Sequence, residues 1–130
     1  MNTPMEERRA RLKSLSERYC DETLNRLNAI RDARDALTNG DAGAFKPLVL
    51  NSHSLAGSGA TMGYPELSDA AQVLDAAVRG FAAEMESAQT VPSALLIVLE
   101  QFFPPLEKVV ASMTKEDAVE RLWRSMTRES

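Results

Sequence analysis

The chain has 130 residues, 44% hydrophobic and 26% charged, which is enough for one domain with its own hydrophobic core. Its net charge of -4 at pH 7 would repel a phosphate backbone and excludes broad nucleic-acid binding. The single cysteine, Cys20, excludes an internal disulfide and in its helical setting reads as a small, partly buried apolar residue.

Thr3-Pro4-Met5-Glu6 reads as a helix start, with threonine at the cap, proline in the first turn and glutamate three residues past the cap. Glu6, Glu7, Arg8, Arg9 and Arg11 stand where a signal peptide would need an apolar segment, so a cytoplasmic chain is expected. A second capping box follows at Ser14-Leu15-Ser16-Glu17. An unbroken helix from 3 to 39 would be about 50 Å long, too long for a domain of this size, so a break or bend is expected around Ser14. Residues 3–13 then form an N-terminal arm. Beyond them Tyr19, Thr23, Leu27, Ile30 and Leu37 make one apolar stripe that ends at Asn39-Gly40.

Asp41 is a candidate cap for the next helix. Pro47 either falls in the first turn of a helix that starts near Lys46 or kinks one that starts earlier, and the first arrangement is preferred. In both cases His53, the only histidine, lies about two turns inside. Leu48, Leu55 and Met62, spaced by seven, fall roughly opposite to it, so a core-facing heptad leaves His53 facing solvent. Around it lie Val49, Leu50, Ala56, Gly57 and Ala60, an apolar surface of the kind that marks an interaction site. Gly57, one turn along, leaves clearance beside the histidine at a cost of up to about 1 kcal/mol in helix propensity. The pattern continues through Ala60, Thr61 and Met62, with Gly63 as its natural stop.

Gly63-Tyr64-Pro65 makes a tight turn and Pro65-Glu66 opens a third helix. Its stripe of Leu67, Ala70, Ala71, Leu74, Ala77, Val78, Phe81 and Met85 is weakened at Gly80, which ends or bends it. Thr90-Val91-Pro92 starts a fourth helix, with Leu95, Val98, Leu99, Phe102, Leu106, Val109, Val110 and Met113 inward. Pro104-Pro105 predicts a kink or a restart. Charged residues and the proline pair leave this region short of the roughly 20 apolar residues that span a bilayer. Thr114-Lys115-Glu116-Asp117 caps a last helix, about 114–127, carrying Val119, Leu122, Trp123 and Met126; Trp123 either docks on the body of the domain or stays open to a partner.

No stretch alternates with period two, so the fold expected is all-α: one domain, 1–130, an antiparallel up-and-down four-helix bundle with its core at about 14–113, plus the N-terminal arm and the C-terminal helix. A glycine-rich nucleotide loop followed by lysine and serine or threonine is absent, which argues against a kinase. One histidine without a cysteine pair or a carboxylate within a turn argues against a metal site.

The order of residues from His53 to Gly63, with an apolar residue at 55, glycine at 57, serine at 58 and glycine at 63, resembles the signature of the histidine-containing phosphotransfer (HPt) domain. Tyr64-Pro65-Glu66-Leu67 and the helix after it also look like the family, so the resemblance covers roughly residues 15–110. It implies a bundle in which His53 accepts a phosphoryl group from a receiver-domain aspartate and passes it on. Neutral imidazole keeps one lone pair free for that attack. The resemblance also makes Gly57 the clearance residue and Gly63 the helix-closing residue. Expected partners are the receiver domains of a hybrid sensor kinase and of a response regulator, met by a monomer with no cofactor of its own. Mg²⁺, where used, would come from the receiver's acidic pocket. Many members carry lysine three residues after the histidine; this chain has Ala56. Lys46 lies nearly along the same face but about 10 Å down the axis, where it would meet an acidic partner rim. The alternative is a scaffold or inhibitor that binds a kinase or receiver through the same face and carries no phosphate.

Overall fold

A computed structural model describes residues 3–87 and 90–127. Among them six α-helices and one short 3₁₀ turn occur, and no strand: α1 (Pro4–Thr38), the 3₁₀ turn Ala42–Ala44, α2 (Phe45–Ser58), α3 (Pro65–Arg79), α4 (Ala82–Ser87), α5 (Ser93–Ala111) and α6 (Lys115–Thr127). The expectation of an all-helical chain is met. Helix α2 packs between α1 and α3, α3 also packs on α5, and α1 runs against α5 and α6. Leu27, Ile30, Leu37, Leu48, Leu55, Leu67, Leu74, Leu95, Leu99, Phe103 and Leu106 fill the space between them.

The first helix corrects the sequence reading. It is unbroken through Ser14, so the N-terminal arm and the stripe beyond it belong to one 35-residue helix. Between Met5 and Thr38 there is no proline or glycine to stop it. The argument from length failed because α6 covers the extra turns: Lys115 pairs with Asp21 at 3.2 Å, Arg9 with Glu120, and the Arg9 guanidinium lies 5.5 Å from the centre of the Trp123 ring. Trp123 is thus half-buried against α1. The Thr3 hydroxyl accepts from the Glu6 amide at the helix start, and Thr114 does the same for Asp117 at the start of α6.

Other boundaries are set by glycine and proline. Asp41 caps the 3₁₀ turn by accepting from the Gly43 amide, and α2 follows at Phe45 with Pro47 in its first turn. Helix α3 stops at Arg79 before Gly80, and the stripe resumes in α4, where Met85 is buried. Helix α5 continues through Pro104 and Pro105 without restarting. The two carbonyls that these prolines leave without helical donors belong to Glu100 and Gln101, both exposed to water. Phe103, rather than Phe102, is the fully buried aromatic of α5, with the Arg34 guanidinium 5.3 Å from its ring centre.

The regular part of α2 ends at Ser58, five residues before Gly63. The cause is a side chain of α3. The Ser68 hydroxyl donates to the Ala56 carbonyl at 2.5 Å and accepts from the Ala60 amide at 3.2 Å, occupying the place of the helical bond between those two groups. The chain then closes with a Tyr64 amide bond to the Gly59 carbonyl at 2.8 Å and a Gly63 amide bond to Ala60 at 3.1 Å, with Gly63 at φ +92°. Helix α6 seals this turn. Arg121 donates to the Gly63 carbonyl and to Glu66 and Asp117, and its guanidinium stacks 4.4 Å from the centre of the buried Tyr64 ring.

Two measurements test this packing. A Cβ on Gly59 would stand 2.6 Å from the Ser68 amide nitrogen and 2.9 Å from the Tyr64 carbonyl, both backbone atoms, whereas one on Gly57 would meet nothing within 4 Å. Urea unfolding should therefore show Gly59→Ala losing about 1–3 kcal/mol, and Gly57→Ala gaining up to about 1 kcal/mol. Burial pushes the Tyr64 phenol up to about 12 from its ordinary 10.0, and its hydroxyl has no hydrogen-bond partner among the described residues. The unfolded chain releases that proton first, so stability should be intact below pH 10 and fall as pH rises from there through about 12. Tyr64→Phe should flatten that loss in alkaline melts while changing stability at neutral pH by less than about 1 kcal/mol.

Candidate functional site

Helix α2 is poorly equipped to stand alone. It has no side-chain cap, no acidic residue in its first turn, Lys46 at the end that disfavours a cation, and Gly57 in its last turn. Its order comes from its neighbours, through Leu48, Ser52, Leu55 and Ala56 buried against α1 and α3. His53 sits two turns in, on the side these residues leave open, and 61% of its side chain is exposed. Leu48 and Leu55 are fully buried, as their spacing by seven requires, whereas Met62 lies beyond the end of α2 at Ser58, is half-buried and lines the same groove as His53.

The ring is nevertheless held. Its Nδ1 lies 3.0 Å from Oδ2 of Asp75, on α3. An ionised carboxylate can only accept, so the nitrogen facing it carries the proton. Nε2 then keeps its lone pair and no side chain of the described residues bonds to it. Asp75 is itself anchored: only 12% of its side chain is exposed, and its other oxygen accepts from Nε of Arg79 one turn along α3 at 3.0 Å. The carboxylate is therefore shared between a guanidinium and the imidazole, with α3 fixing its place.

Of the residues expected around the histidine, Lys46, Leu50 and Gly57 are exposed and follow one stripe along α2 with His53, Leu50 is 62% open, and Ala60 is exposed in the turn beyond the helix end. Val49 is half-buried. Ala56 is a correction: expected on the open surface, it is only 7% exposed, because α3 packs over that side and Ser68 reaches its carbonyl. Gly63 lies at the far end of the turn, under α6. Asp75, Arg79 and Ser68 were missed. The usable signal was Asp75 and Arg79 four apart beside the buried Leu74 and Val78, a polar pair on the edge of an apolar stripe.

On its other side His53 borders a groove of about 700 Å³ between α1 and α2. No cluster of three or more His, Cys, Asp or Glu side chains is placed to hold a metal among the described residues, and none of their helices is long and apolar enough to cross a membrane.

No curated protein and no solved structure matches the chain. The family model described as the Hpt domain matches residues 14–103, which takes in α1 from Ser14 onward, α2, α3 and the first half of α5. A match over that much of the chain identifies it: the protein belongs to the Hpt domain family, whose members meet receiver domains in phosphorelay phosphotransfer.

Proposed function

We propose that the chain is a phosphoryl carrier in which His53 takes a phosphoryl group from the aspartate of one receiver domain and passes it to the aspartate of another. The observation that carries this reading is the bond from His53 Nδ1 to Asp75, which leaves Nε2 as an exposed, unprotonated nucleophile. As the Nε2 lone pair forms the P–N bond, the P–O bond of the aspartyl phosphate breaks and the receiver's aspartate leaves as a carboxylate. The proton on Nδ1 stays where it is. The imidazole gains a positive charge that faces the Asp75 carboxylate, so no general base is needed and the reverse step uses the same atoms.

On this reading α1, α2, α3 and α5 form the antiparallel up-and-down four-helix bundle, with α6 against its outside. Lys46, Leu50, Gly57 and Ala60 form the docking face. The charged side chains near it, Lys46, Arg79, Arg18 and Arg26 against Glu22 and Asp75, reverse the sign of the chain's net charge of -4 and suit an acidic partner. The partners proposed are the receivers of a hybrid sensor kinase and of a response regulator, met by a cytoplasmic monomer. Mg²⁺ belongs to the receiver's acidic pocket.

Incubation with a ³²P-labelled receiver should move acid-labile label to the wild-type chain and none to His53→Gln; label retained by that variant would sink the proposal. Receiver binding that survives His53→Gln, with no transfer to the wild type from any receiver, would instead mark a scaffold or inhibitor. Asp75→Asn places an amide that donates to Nδ1 and favours the proton on Nε2. Nitrogen-15 NMR of the ring should show that change of tautomer, and transfer should slow about ten- to a hundredfold.

A further inference from the structure

Position 56 carries no cation, and the structure places Ala56 beneath α3, away from the open side of His53. Arg79 is committed to Asp75 on the Nδ1 side of the ring. The nitrogen that would carry a phosphoryl group is the one that α3 does not engage, and His53 also lines the groove between α1 and α2.

Two bonds across that groove fix how the helices align. Tyr19 Oη and Ser58 Oγ are 2.7 Å apart, and Nη1 of Arg26 donates to Oδ1 of Asn51 at 3.2 Å. The numbering runs in opposite directions along the two helices, and the two bonded pairs have the same sum of residue numbers. In that register the level of His53 falls between Glu22 and Arg26, which puts the Arg26 backbone only about 3 Å along the axis from it. Arg18 lies two turns further along α1, about 12 Å from Arg26.

Resting on the reading of His53 as the phosphoacceptor, we propose that Arg26 binds the phosphoryl group on His53 Nε2, supplying from α1 the positive charge that position 56 lacks. In the free protein the Arg26 guanidinium is held by two neighbours, Glu22 and Asn51, each at 3.2 Å. Glu22 is largely exposed, so its hold on Arg26 is weak. A phosphoryl dianion offers the planar guanidinium fork a pair of oxygens and twice the charge of that carboxylate, and draws it across the groove. Gly57 lines the same groove one turn beyond His53, on the side away from Arg26, and leaves open space beside the ring there.

The test uses the full chain as wild type, Arg26→Gln, Arg26→Lys and Arg18→Gln, phosphorylated with phosphoramidate and followed by ³¹P NMR across pH. A cation beside the group favours its dianion. The midpoint of the phosphohistidine resonance should therefore rise by about 0.5 in Arg26→Gln, return most of the way in Arg26→Lys and stay at the wild-type value in Arg18→Gln. Against a partner receiver, the transfer equilibrium of Arg26→Gln should move about three- to tenfold toward the receiver. Equal melting temperatures of the variants establish that folding is not the cause. A wild-type midpoint and equilibrium in Arg26→Gln would overturn the role of Arg26 while leaving His53 as acceptor. A wild-type chain that takes no phosphoryl group on His53 from either donor overturns both.

Discussion

The hydroxyl of Ser68, set into the backbone of α2 between Ala56 and Ala60, is the contact on which the rest of the site depends. It requires α3 to come close enough that position 59 can hold no side chain, and Gly59 meets that requirement. Once Ser68 is engaged, the alignment of two antiparallel helices is no longer free. Asp75, two turns further along α3, arrives opposite His53, about one and a half turns back along α2. The pair that holds the imidazole is a consequence of a contact more than a turn away on each helix.

A helix that lacks a cap, carries lysine in its first turn and contains glycine in its last would fray if left exposed. The neighbours of α2 supply what its own sequence omits. From α1 come the Tyr19 and Arg26 bonds, from α3 the Ser68 and Asp75 bonds, and from the core the burial of Leu48 and Leu55. This division leaves the open stripe of α2 free to be small and apolar around one reactive side chain. Stability and access are met by different residues on different helices.

Much of this was legible in the sequence, and for a definite reason. The exposure of His53 follows from local periodicity, because Leu48 and Leu55 can only be buried together if position 53 is not. Caps, turns and proline positions are also local, and Thr3, Asp41, Pro65 and Thr114 mark starts where their chemistry places them, whereas Gly63, read as the stop of α2, closes the turn five residues beyond its end. What escaped depends on contacts between helices. Asp75 is 22 residues from His53, and nothing in either segment alone sets their distance. Ala56 was placed on the open surface by its position around the helix beside His53, yet α3 covers it. The letters of a capping box at Ser14 suggested a break because the helix that supports α1 there, α6, lies a hundred residues later.

The bond from Arg121 to the Gly63 carbonyl places α6 in mechanical series with the histidine-bearing helix. Helix α6 is also fastened to the early part of α1 through Arg9 and Glu120, so it links the start of α1 to the turn that follows α2. Arg9 and Arg121, more than a hundred residues apart, are thereby tied to the same turn at the centre of the chain, a joint separate from the Tyr19 and Arg26 bonds by which α1 holds α2 directly.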